Sequence, residues 1–114
     1  MRHGSICILA SLIILSAHGA RAQSGPPSFD ADRGCSHAEV LDQIAGRGPA
    51  ACRSDEAKAR EELRRRWAEF SATSRHMCTA ETESGGPPSY VELLVCLDLE
   101  RFNAQDQAKL TRGR

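Results

Sequence analysis

The 114-residue sequence is poor in the residues that build large cores and deep clefts. It has one Trp, one Tyr and three Phe, and 40% of it is hydrophobic. A chain of this length and composition supports one small domain with a small core. It carries no excess charge, with 15 Lys+Arg against 15 Asp+Glu. That balance excludes a nucleic-acid binder built on overall positive charge. It has no Cys-x-x-Cys, and no two cysteines are closer than 17 positions. The adjacent resolving thiol of a thiol–disulfide enzyme is therefore missing. No Gly-x-Ser-x-Gly elbow, Walker loop or dinucleotide fingerprint occurs. Gly85-Gly86 is followed by Pro87 and Pro88, which lack the amides that cradle phosphate. Asn103 is followed by Ala104 and Gln105, so no Asn-x-Ser/Thr acceptor exists.

What is present begins with an export signal over residues 1–22. Arg2 and His3 form a short basic start, Ile6 to Leu15 an apolar run broken by Ser11, and Ala20-Arg21-Ala22 a small-residue cleavage site. The run is shorter than the ~20 apolar residues that span a hydrocarbon core, so a membrane anchor is not expected. Cys7 has no lipobox before it. Cleavage after Ala22 removes Arg2, Arg21 and Cys7, leaving 13 basic and 15 acidic residues, a net charge of −2. Cys35, Cys52, Cys78 and Cys96 remain. An even set in a short exported chain indicates two disulfides. The expected location is the bacterial periplasm or the medium.

Residues 23–34 read as a mobile linker, rich in Ser, Gly and Pro, with Phe29 the one residue able to dock. The helical domain is expected over 35–108. Ser36-His37-Ala38-Glu39 fits a capping box for a short helix to about Ala45, with Val40, Leu41 and Ile44 on one face. A long second helix is predicted from Pro49 to Phe70. Cys52, Ala59, Leu63, Trp67 and Phe70 form its apolar stripe. Glu56/Arg60, Glu61/Arg65 and Glu62/Arg66 are spaced as ion pairs on the opposite face. Arg64-Arg65-Arg66 therefore reads as a solvated, ion-paired face rather than an anion site. Ser71 or Thr73 should cap a third helix to about Glu83, ended by Gly85 to Pro88. Ser89-Tyr90-Val91-Glu92 caps a fourth, running to about Gln107. Its first ten residues are apolar nearly all round, which places it at the centre of the domain. Residues 109–114 are expected to fray. The fold class is all-α, a disulfide-stapled bundle of about four helices.

The helix map discriminates among the three possible cysteine pairings. Cys78 and Cys96 lie nine residues either side of Pro87, at one level of an antiparallel hairpin. Cys52 lies ~27 Å up the second helix from its end, too far back to meet Cys78 easily. Cys78–Cys96 with Cys35–Cys52 is favoured. Cys35–Cys78 with Cys52–Cys96 stays open if the third helix turns sharply away.

The stretch Cys52 … Trp67-Ala-Glu-Phe70 … Cys78 … Gly86-Pro-Pro-Ser-Tyr90-Val-Glu-Leu-Leu-Val-Cys96-Leu resembles small exported helical proteins of rhizobial-type alphaproteobacteria. The resemblance covers residues 50–102, about half the chain. That family has no assigned activity, so the resemblance implies export and an all-helical fold and no chemistry.

Zinc is disfavoured. His76 and Cys78 are about 200° apart on a helix and cannot grip one ion together. Two histidines in the exported chain give little room for a triad. Carboxylates are common enough to leave glycosidase pairs open, but small size and few aromatics argue against a cleft. The sequence reading is a non-catalytic exported module acting through contacts with a protein partner, with no cofactor, no metal, no nucleic acid and no stable membrane anchor. Trp67 and Tyr90 are the expected interaction surface. The alternatives are a small envelope enzyme or thiol-redox factor, and an envelope stress chaperone.

Overall fold

A computed structural model describes residues 24–37 and 48–113. The signal segment, its cleavage site after Ala22, and the row Val40, Leu41 and Ile44 lie outside the described residues. Among the described residues the chain is helical, with no strand. The helices are α1 (Ala31–His37), α2 (Pro49–Arg66), α3 (Ala72–Ser84) and α4 (Tyr90–Arg112), with a 3₁₀ turn at Trp67–Glu69 between α2 and α3.

α1 starts inside the stretch read as linker. Asp30 is the reason: its Oδ1 accepts the Arg33 N–H at 3.1 Å, and Asp32 sits in the first turn. A carboxylate at that position satisfies an orphan donor and meets the positive end of the helix. Ser36 is inside α1, donating its hydroxyl to the Arg33 carbonyl at 2.9 Å, and the rest of the expected capping box, with Glu39, lies outside the described residues. Phe29 docks. Its N–H donates to the Tyr90 hydroxyl at 2.8 Å, and the two rings lie 4.9 Å apart.

α2 begins with Pro49 in its first turn, where the missing N–H costs nothing. Its α-helical geometry stops at Arg66, and Trp67–Glu69 tightens to 3₁₀ before Phe70 turns extended. Ser71 then caps α3, its side chain accepting the Ser74 N–H at 3.0 Å. Ser89 caps α4 by accepting the Glu92 N–H at 3.2 Å. Gly86 in the connecting turn has φ +135°, a conformation that suits glycine alone. α4 does not fray at Lys109. It continues to Arg112, with Gly113 N–H closing onto the Lys109 carbonyl at 3.1 Å.

Cys78–Cys96 and Cys35–Cys52 are the disulfides, with Cα–Cα distances of 5.8 and 5.7 Å. The first ties α3 antiparallel to α4. The second holds α1 on α2. α2 and α4 run parallel, because Glu56 meets Tyr90, Arg66 meets Asp98 and Glu69 meets Arg101 in ascending order. Between the three long helices lie Ala59, Leu63, Trp67, Phe70, Cys78, Tyr90, Leu93 and Leu97. This core is small. Each bridge closes a loop of about 17 residues and should contribute about 3 kcal/mol, a large share of a small domain's stability.

Candidate interaction surface

Trp67 and Tyr90 are core residues, not an interaction surface. They are 3% and 2% exposed. Trp67 continues the apolar stripe of α2 into the 3₁₀ turn, Tyr90 opens α4 on its core side, and two arginines finish the cover. The Arg75 guanidinium lies 5.5 Å from the Trp67 ring, and that of Arg60 5.7 Å from the Tyr90 ring. Cationic groups over aromatic faces add attraction and close the rings off from solvent.

Buried charge is used to fasten the helices. Glu56 is buried in α2, and both its carboxylate oxygens turn to the start of α4. Oε1 accepts the Ser89 hydroxyl and Oε2 the Tyr90 N–H at 2.7 Å. The expected Glu56/Arg60 pair is therefore not formed. Tertiary capping of an orphan N–H outweighs an exposed pair worth a few tenths of a kcal/mol. Arg65 pairs with Glu62 instead of Glu61. Arg66 reaches across to Asp98 while also meeting Glu62 at 3.4 Å and Glu69 at 3.7 Å. The hydrogen bond to Asp98 raises the Arg66 pKa above its ordinary value, with the charges of Asp98 and Glu62 adding and desolvation opposing.

The exposed apolar surface is on α4. Leu93 and Leu97 face the core, whereas Val95, Leu99 and Phe102 are 54%, 58% and 59% exposed. Val91 sits beside them near the start of the helix, and Leu110 is exposed near its end. The expectation of a helix buried all round fails here. Among the described residues the helices packed on α4 are α2 and α3, and the side that carries Val91, Val95, Leu99 and Phe102 is exposed. Spacings of four, four and three from Val91 to Phe102 already mark that face. Beyond Leu99 the helix runs past its neighbours. From Arg101 to Gly113 every residue is exposed except the half-buried Asp106.

The chain matches no family model, no curated protein and no solved structure.

An open groove of about 450 Å³ follows the α3–α4 seam, where Val95 and Leu99 lie among Glu81, Glu92 and Glu100. A second, of about 500 Å³, is bordered mainly by the charged face of α2. Among the described residues no group of three or more His, Cys, Asp or Glu is placed to hold a metal ion. The four cysteines of the described domain are paired in the two disulfides. No helix among the described residues is long and apolar enough to cross a membrane. The two disulfides fit a chain that folds in an oxidising compartment.

Proposed function

We propose that the protein is a non-catalytic helical module, exported through its N-terminal signal to the periplasm or beyond, that works by protein–protein contact through the bare face of α4. The observation that carries this reading is the row Val91, Val95, Leu99 and Phe102, solvent-exposed on a helix whose opposite face forms the core. Small soluble domains rarely leave a contiguous apolar row open unless something covers it. The disulfides, and the likeness of residues 50–102 to small exported helical proteins of rhizobial-type alphaproteobacteria, support the export half of the reading.

The test is chemical cross-linking of the exported chain in intact cell envelopes, with the Leu99→Glu variant as control. A discrete cross-linked species present with the natural chain and lost with the variant supports contact through α4. An identical pattern for both overturns it. Leu99 is more than half exposed, so the variant keeps the fold.

A further inference from the structure

We propose that the occupant of this face is a second copy of the chain, bound through α4 packed antiparallel against α4. The inference rests on the reading of α4 as a contact surface and names its partner. Along the bare face, Glu92, Val95, Leu99, Phe102, Asp106 and Lys109 recur at steps of three, four, three, four and three. The spacing is that of a two-helix seam, with Val95, Leu99 and Phe102 as its apolar centre and Glu92, Asp106 and Lys109 as charged positions toward its ends. α4 thus carries two seams, one turned inward and one outward.

Orientation follows from charge. In a parallel pair the seam sets Glu92 on Glu92, Asp106 on Asp106 and Lys109 on Lys109, three layers of like charge. In the antiparallel pair centred between Glu100 and Arg101 the same seam sets Glu92 against Lys109 of the second copy. Leu99 meets Phe102 of the second copy in the two central layers. Only the Val95–Asp106 layer is mixed, and the Asp106 carboxylate already leans to Lys109 at 3.5 Å at the rim.

The overhang of α4 makes the same demand. An isolated helix of about a dozen residues is marginal in water. Among the described residues, the Arg101–Glu69 ion pair is the last tie of α4 to another helix or turn, and the segment after it is exposed apart from the half-buried Asp106. Antiparallel pairing lays this overhang along the first half of the second copy's α4, which the bundle holds rigid. Each copy gives the other the support its own fold omits. Glu92 to Lys109 spans about 27 Å of helix. One helix pair of that length lies at the small end of specific interfaces, so the dimer is reversible.

Sedimentation equilibrium of the exported chain from about 10 µM to 1 mM tests this, with far-UV circular dichroism checking each fold. The natural chain should shift from monomer to dimer across that range. Leu99→Glu should weaken the dimer more than about a hundredfold, because two Leu side chains are lost from the centre. Phe102→Ala, a milder change at the same layers, should weaken it in the same direction. Glu92→Lys and Lys109→Glu should each weaken it by about fivefold at low salt, and the double swap should restore it. A natural chain that is monomeric at 1 mM overturns self-association while leaving the α4 face to be tested by envelope cross-linking. A dimer indifferent to Leu99→Glu overturns pairing through α4 and likewise leaves the α4 face to be tested by envelope cross-linking. A double swap that fails to restore overturns the antiparallel register.

Discussion

Glu56 on α2 accepts the Tyr90 backbone N–H at 2.7 Å and so caps α4 from a helix 34 residues away. This contact fixes the parallel register of α2 and α4. It also frees the Tyr90 ring to enter the core, because the first amide of the helix is already satisfied. Glu56→Ala leaves that buried N–H and the Ser89 hydroxyl without their acceptor. We expect a loss of about 2 kcal/mol in unfolding free energy by urea titration. Glu56→Gln, which keeps one acceptor oxygen, should lose about half as much.

The two disulfides divide the labour. Cys78→Ser with Cys96→Ser cuts the α3–α4 hairpin and should lower global stability by about 3 kcal/mol, read from the urea midpoint. Cys35→Ser with Cys52→Ser releases a short helix from the outside of α2. It should open Arg33 to trypsin while the helical content of 49–112 stays.

Tyr90→Phe keeps the ring and removes the hydroxyl that accepts the Phe29 N–H. The expected effect is about 1 kcal/mol. It should be local, so amide hydrogen exchange should speed up at Phe29 and stay unchanged at Leu93 and Leu97.

Arg66 joins α2 to Asp98 of α4. Its pKa in the folded chain lies above the ordinary arginine value, so its contribution is fully present below that ordinary value and fades only as pH rises through the higher one. Arg66→Ala should cost about 1 kcal/mol, because Asp98 is partly exposed and the pair is screened. The cost should be the same at pH 7 and pH 10 by urea unfolding, since Arg66 keeps its proton at both.

The sequence carried the local signals well. Ser71 and Ser89 cap where hydroxyls before apolar periods should, Pro49 starts α2, and Gly85 to Pro88 stop α3. The cysteine spacing about Pro87 selected the disulfide that forms. Capping that comes from afar was not legible. Glu56 sits at helical spacing from Arg60, and only the packing of α4 turns it inward. The same ambiguity hid the exposed row on α4. Apolar residues all round the first turns of α4 fit a buried helix, but among the described residues only α2 and α3 pack along it. Trp67 and Tyr90 drew attention as aromatics, yet the apolar stripe already assigned Trp67 to the core. α1 was missed because Asp30 capping outweighs the linker-like residues before it.

Sulfur bridges, more than the few buried side chains, hold these helices together. Trp67 is the single tryptophan, and it is buried. Its fluorescence through thermal unfolding, with and without reductant, tests the claim directly. The oxidised chain should give blue-shifted emission and one cooperative transition. The reduced chain, lacking the α3–α4 bridge worth about 3 kcal/mol as well as the α1 tether, should show red-shifted emission at 25 °C and no transition. A reduced chain that keeps native emission and melts within a few degrees of the oxidised one would contradict the account.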